Sequence, residues 1–239
     1  MIYPLVMHIS YSQFNIPADT WRILSIADPL VGILIVLAIV KTRKQSLAST
    51  GLHKKNIGSA LVLGLLFAPI FLLQRIAMGG VVGWELYSFG PFMLRLMSAM
   101  LFAVREDMSF VGFIQTRLHG LVKNDSWAIN LGAALFTLAH LPARLVHGIP
   151  MEIGAMNFTL LLVNWFFMHR AFVMLFKRYF SLVPVFIMHI ASNFPMLWQG
   201  EGIFGWWWTA IPTVVFVLAV EFWYERWDKS RADEASEQK

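Results

Sequence analysis

Four side chains in this sequence are of types that can do chemistry together: Glu106, His140, His189 and Asn193. A carboxylate can take up a proton, an imidazole can take up or pass on a proton, and an imidazole or amide N–H can donate to a developing negative charge. Phe136 and His140 are four residues apart, as are His189 and Asn193, so each pair shares one face of a helix. Asp107 follows Glu106 and projects about 100° further round the helix, so it is a supporting candidate that faces a different neighbour. Arg105, just before Glu106, is a second supporting candidate, although its place on a helix points it elsewhere. There is no cysteine, which excludes thiol nucleophiles, disulfides and thiolate metal sites.

The elements that must position these groups are membrane helices. Of 239 residues, 58% are apolar and 14% charged, with a mean hydropathy of +0.62, whereas a soluble domain carries about 25% charged residues. Apolar stretches recur at 23–40, 57–77, 90–116, 127–143, 155–176, 181–198 and 203–224. The composition predicts an all-α, polytopic transmembrane helix bundle of about seven spans. The third stretch is long enough to tilt or to run past the interface.

Charge alternation supports that count. Fourteen Lys and Arg fall at one set of ends, in 41–55, 117–126, 170–178 and the tail, against Arg22, Arg75 and Arg144 at the other. The positive-inside rule then puts the N-terminus outside and the C-terminus in the cytoplasm, with Trp206, Trp207 and Trp208 at an outer end. It also explains the net charge of +5 without nucleic acid. Residues 1–22 are read as an interfacial arm, 23–89 as accessory helices, 90–200 as the catalytic core, and 201–239 as the last helix with a polar tail. The short connections fit a prokaryotic cytoplasmic membrane.

Ionisable groups inside spans are expensive and call for a partner or a function. At about 1.5 Å per helical residue, counted from the inner ends, Glu106, His140, His189 and Asn193 fall in one layer roughly 12 to 20 Å deep. Asp28 and Glu85 are placed near interfaces, with Arg95 as a partner for either. His8, His53, His119, His147 and His169 fall in loops or at span ends and read as plain polar surface.

Three ordered motifs carry a family resemblance: Glu106-Asp107-Met108-Ser109-Phe110-Val111, then Phe136-Thr137-Leu138-Ala139-His140, then His189-Ile190-Ala191-Ser192-Asn193. Over residues 95–200 the chain resembles the CAAX protease and bacteriocin-processing (ABI) family of glutamate-type intramembrane proteases. That family's pattern is Glu-Glu-x-x-x-Arg, Phe-x-x-x-His and His-x-x-x-Asn. The sequence departs from it at Asp107, which replaces the second Glu, and at Val111, which replaces the Arg.

The resemblance implies an intramembrane endopeptidase acting on a membrane-anchored peptide or protein. In it, Glu106 and His140 activate water while His189 and Asn193 stabilise the oxyanion. It also implies catalysis without a metal, while zinc held by Glu106, His140 and His189 stays open as an alternative, since all three are possible ligands. No HExxH motif is present. Two other classes remain: a non-catalytic immunity or scaffold protein of the same fold, for which Val111 is the main support, and a proton-coupled transporter. The bland reading, in which the polar groups are interhelical glue, explains any one of them more easily than the ordered set.

Overall fold

The structure is a computed structural model that describes residues 18–55, 57–79, 82–86, 89–146, 154–194, 198–201, 211 and 213–226. Its elements in chain order are α1 (Ala18–Thr42), a 3-10 turn (Leu47–Thr50), α2 (Ile57–Gly79), β1 (Val82–Leu86) and α3 (Phe89–Asp107). A π-helical stretch, Met108–Gln115, continues α3 into α4 (Thr116–Leu121). Then come α5 (Asp125–Val146), α6 (Ala155–Tyr179), α7 (Val183–Ser192) and β2 (Trp198–Glu201), followed by a last helix, α8, over 213–226.

Among the described residues each of the seven apolar stretches contributes a helix, and α6 is long and apolar enough by itself to cross a membrane. The stretch at 181–198 ends early. Its helix stops at Ser192, because Asn193 caps the turn with its backbone N–H on the carbonyl of His189, and ten residues rise only about 15 Å. Helix α1 begins at Ala18, inside the expected arm. A two-stranded antiparallel ribbon, with Val82 opposite Glu201 and Leu86 opposite Trp198, is an addition to the expected all-α bundle. Glu85 lies in it, opposite Gln199. The arm at 1–17, His8, His147, Trp206 to Trp208 and the tail beyond 226 lie outside the described residues.

The helices pack as α1 on α3, α2 on α7 and α5 on α6. Phe71 of α2, Phe172 of α6 and Phe216 of α8 are almost fully buried, and the ring of Phe71 lies 4.9 Å from Phe216 and 5.9 Å from Phe172, centroid to centroid. Phe172 in turn lies 5.8 Å from the ring of His189, so this apolar cluster is the wall behind the site. The outward faces are apolar too: Leu34, Val62, Leu65, Leu66, Val214 and Leu218 are all exposed. Water does not tolerate such continuous apolar faces on a monomer, whereas lipid does.

At the end of the bundle that carries most of the Lys and Arg, the chain turns sharply. Lys44 and Phe180 adopt left-handed backbone after α1 and α6, and Gly51 does so after the 3-10 turn. The next helix starts with Pro184 in its first turn, where a missing N–H costs nothing. Leu182 donates its backbone N–H to the carbonyl of Gly51, which ties the two turns together.

Candidate active site

The catalytic candidates come from three helices. Glu106 and Asp107 end α3, His140 stands near the far end of α5, and His189 sits in α7. Directly after the two acids the helix widens into the π-helical stretch, where Ser109 bonds back to the Arg105 carbonyl at 2.7 Å and Thr116 to that of Gly112 at 2.8 Å. Hydroxyls that take a preceding carbonyl compete with the regular helical ladder, and π-helical turns concentrate at functional sites.

Glu106 lies between two imidazoles. Its Oε1 is 3.6 Å from Nε2 of His140, and its Oε2 is 3.6 Å from Nε2 of His189. The Nδ1 of His140 lies 2.8 Å from the carbonyl oxygen of Phe136. A carbonyl can only accept, so Nδ1 carries a proton, and in the neutral form of the ring the Nε2 that faces Glu106 is bare. The Nδ1 of His189 lies 2.8 Å from Oδ1 of Asp107, so the carboxylate fixes that ring in the same way.

The result is a carboxylate facing two ring nitrogens across gaps too long for direct hydrogen bonds. A group that donates to one side and is held by the other fits between them, and a water molecule has that chemistry. Glu106 is 13% exposed along its side chain and His140 22%, while Asp107 is 1% and His189 4%. Access to the site is therefore from the Glu106–His140 side. Asn193 lies just past the end of α7 and is exposed.

Arg105 corrects the sequence reading. It does not point away from Glu106: its Nη2 lies 3.0 Å from Oε1 of Glu106, and its Nη1 lies 2.6 Å from Oδ2 of Asp28. The side chain is long enough to fold back along α3, which Cβ direction alone does not capture. Asp28 is correspondingly buried rather than interfacial.

His169 is the second correction. Far from being surface, it is 1% exposed. Its ring stacks on Phe136 with centroids 4.3 Å apart and planes 11° apart, and among the described residues neither ring nitrogen has a hydrogen-bond partner. Phe136 also touches His140, at 4.4 Å between centroids, and Phe110, at 5.3 Å. It is thus the apolar spacer between two histidines. Because α6 runs on to Tyr179, His169 is ten residues inside the helix, and counting depth from that end finds it.

Another titratable cluster lies at the basic end. His119 is 2.9 Å from Asp125, which is also paired with Lys177 and accepts from the Tyr224 hydroxyl at 3.1 Å. Burial lowers the His119 pKa and Lys177 lowers it further, together outweighing the pull of Asp125. Burial works to raise Asp125, but Lys177 and His119 outweigh it and hold the carboxyl below its usual range. His53 pairs with the Phe180 carbonyl at 2.5 Å. None of these groups joins Glu106. Among the described residues, no set of three His, Asp or Glu side chains is disposed to hold a metal ion.

Residues 88–195 match the family model of the type II CAAX prenyl endopeptidase Rce1-like proteins, and the resemblance carried by the three motifs is shown over that range. The family is one of membrane-associated proteases. The matched range holds Glu106, Asp107, His140, His189 and Asn193, and leaves out α1, α2 and α8. Neither a curated protein nor a solved structure matches the chain.

Proposed function

We propose, proceeding from the match of residues 88–195 to the type II CAAX prenyl endopeptidase Rce1-like model, that this protein is a glutamate-type intramembrane endopeptidase that cleaves a membrane-anchored peptide or protein. The observation that carries the reading is the Glu106 carboxylate held 3.6 Å from the Nε2 atoms of both His140 and His189.

In this mechanism a water molecule sits among the three groups. Glu106 takes one of its protons as the water oxygen attacks the scissile carbonyl carbon, and His140, with its Nε2 lone pair facing the carboxylate, holds the water and relays the proton. His189 acts as the imidazolium, giving Nδ1–H to Asp107 and Nε2–H to the oxyanion, with the Asn193 amide as the second donor. The proton then passes to the departing amine nitrogen, the C–N bond breaks, and a carboxylate and an amine leave. Substrate enters from the half-open Glu106–His140 side as an extended segment, since helical backbone has its carbonyls engaged.

The apolar outer faces and the charge alternation support a seven-span bundle with the N-terminus outside and the C-terminus in the cytoplasm, and the short connections fit a prokaryotic cytoplasmic membrane. Bilayer and substrate are then its partners, and no cofactor is assigned. Val111, where the family pattern has Arg, would favour a non-catalytic immunity or scaffold role if the acid had lost its cation. The Arg105 guanidinium 3.0 Å from Glu106 weakens that argument.

Comparative terminal peptidomics of host membranes carrying wild type or Glu106→Gln at matched expression tests the reading. A cleavage product present with wild type and missing with Glu106→Gln supports it; identical profiles remove Glu106 as the base. Purified protein acting on that product's precursor, with and without chelator, separates metal-free catalysis from zinc held by Glu106, His140 and His189.

A further inference from the structure

The first helix lies outside the matched range, yet it reaches the catalytic carboxylate through a single side chain. Arg105 makes an ion pair with Asp28 of α1 through Nη1, at 2.6 Å, and with Glu106 through Nη2, at 3.0 Å. A guanidinium is rigid and planar, so fixing one nitrogen fixes the direction of the other. Asp28 and Gly32, at i and i+4, share one face of α1, and Gly32 is where the stem of Arg105 crosses. A Cβ there would lie 2.6 Å from Cδ and 2.7 Å from Cγ of Arg105, so any larger residue displaces the side chain. From its own helix, Phe102 backs the guanidinium at 4.7 Å from ring centroid to Cζ.

We propose that Asp28 is a positioning residue for catalysis: with the notch at Gly32 it locks Arg105 so that the guanidinium fixes the Glu106 carboxylate between His140 and His189. The assignment rests on the reading of Glu106 as the base. It accounts for two features at once. A buried aspartate on a helix that carries none of the family motifs has a function that repays its desolvation. The missing motif Arg, replaced by buried Val111, has a substitute that comes from the other side of the acid and is anchored from a different helix. Interhelical glue requires only the Asp28–Arg105 half of this arrangement. The second half, Nη2 on the catalytic oxygen, joins the anchor to the chemistry.

The test uses the full chain in lipid nanodiscs with the peptide that terminal peptidomics yields. Asp28→Asn keeps the shape and removes the charge. It is expected to lower kcat roughly tenfold to a hundredfold, the scale on which small misplacements of a reacting group act, with KM nearly unchanged. Gly32→Ala, which alters no charge, should do the same, and Asp28→Glu should restore much of the loss. Arg105→Lys should not, because one ammonium cannot reach both carboxylates as a fork does. Arg170→Gln, which cuts the ion pair to Glu221 at 2.7 Å elsewhere in the bundle, is the control for simple destabilisation. If Asp28→Asn lowers kcat no more than Arg170→Gln does at an equal loss of thermal stability, the positioning role is overturned while Glu106 stands. If wild type and Glu106→Gln cleave alike, it is the functional reading that fails. A double-mutant cycle on unfolding with Asp28→Asn and Arg105→Gln then judges the anchor without turnover: additive effects overturn the proposal, and coupling supports its anchoring half.

Discussion

Asp107 Oδ1 stands 2.8 Å from Nδ1 of His189, with both side chains almost completely buried, while the neighbouring Glu106 faces Nε2 of the same ring at 3.6 Å. Adjacent residues on a helix point about 100° apart, and here that divergence lets consecutive acids take opposite ends of one imidazole. The ring is thereby oriented by a group that does not touch the reaction, and its other end is left for the chemistry.

Replacing Asp107 by Asn keeps an acceptor for Nδ1–H but removes the charge that supports an imidazolium. Outer partners of metal-ligating histidines contribute about 10- to 100-fold in activity, and we take the same scale for a carboxylate that orients a working imidazole. Asp107→Asn is therefore expected to lower kcat on that scale with folding retained, measured by steady-state cleavage and by helical circular dichroism. Activity at the wild-type level would mean that His189 works as a neutral ring.

Stability should track pH through the basic-end cluster. The His119 pKa is lowered in the fold, chiefly by burial, so between that value and the unfolded value of about 6.5 the unfolded chain binds more protons. Stability then falls as pH falls through this window, and is fully present above it. The depressed carboxyl of Asp125 adds a further loss, with the same sign, only below about pH 4. Thermal unfolding in nanodiscs from pH 7.5 to 5 should show a declining midpoint, and His119→Gln should flatten the slope across that range. An unchanged slope would place the titrating group elsewhere.

The sequence made the bundle and the order of the motif residues legible because both rest on periodicity: apolar runs of span length, and i, i+4 pairs that share a face. Glu106 faces both His140 and His189, whereas Asn193 is exposed just past the end of α7. Two kinds of information were out of reach. Where a long flexible side chain goes is not set by its Cβ, and so Arg105 reached Glu106 against the expected direction. Where a helix ends decides how deep its residues lie, and His169 is in the core rather than at the surface because α6 runs on to Tyr179. Asp28 carried its own signal, an acid inside an apolar run, but pairing it required knowing that α1 packs on α3.

Two glycines at the basic end separate backbone need from helix propensity. Gly51 has a φ of 81°, and a Cβ there would come within 2.3 Å of the Phe176 ring. Gly51→Ala is thus expected to destabilise by about 1–3 kcal/mol through overpacking, with left-handed strain added. Gly58, in α2, has open space where a Cβ would go, so Gly58→Ala should stabilise by up to about 1 kcal/mol. Unfolding midpoints of the two variants should move in opposite directions.

His169 offers the sharpest separation of stability from function. Among the described residues both of its ring nitrogens are buried without a hydrogen-bond partner, and an unsatisfied buried polar group costs about 1–3 kcal/mol. His169→Phe keeps the aromatic stack on Phe136, 4.3 Å away between centroids, and removes the polar atoms. It should therefore raise the unfolding midpoint. Proteins retain such costs mainly at functional sites, and Phe136 also touches His140, so the same variant is expected to lower cleavage several-fold while it stabilises the fold. Paired measurements of unfolding midpoint and kcat on His169→Phe check both halves. A variant that is more stable and equally active would show that the buried imidazole serves only as packing.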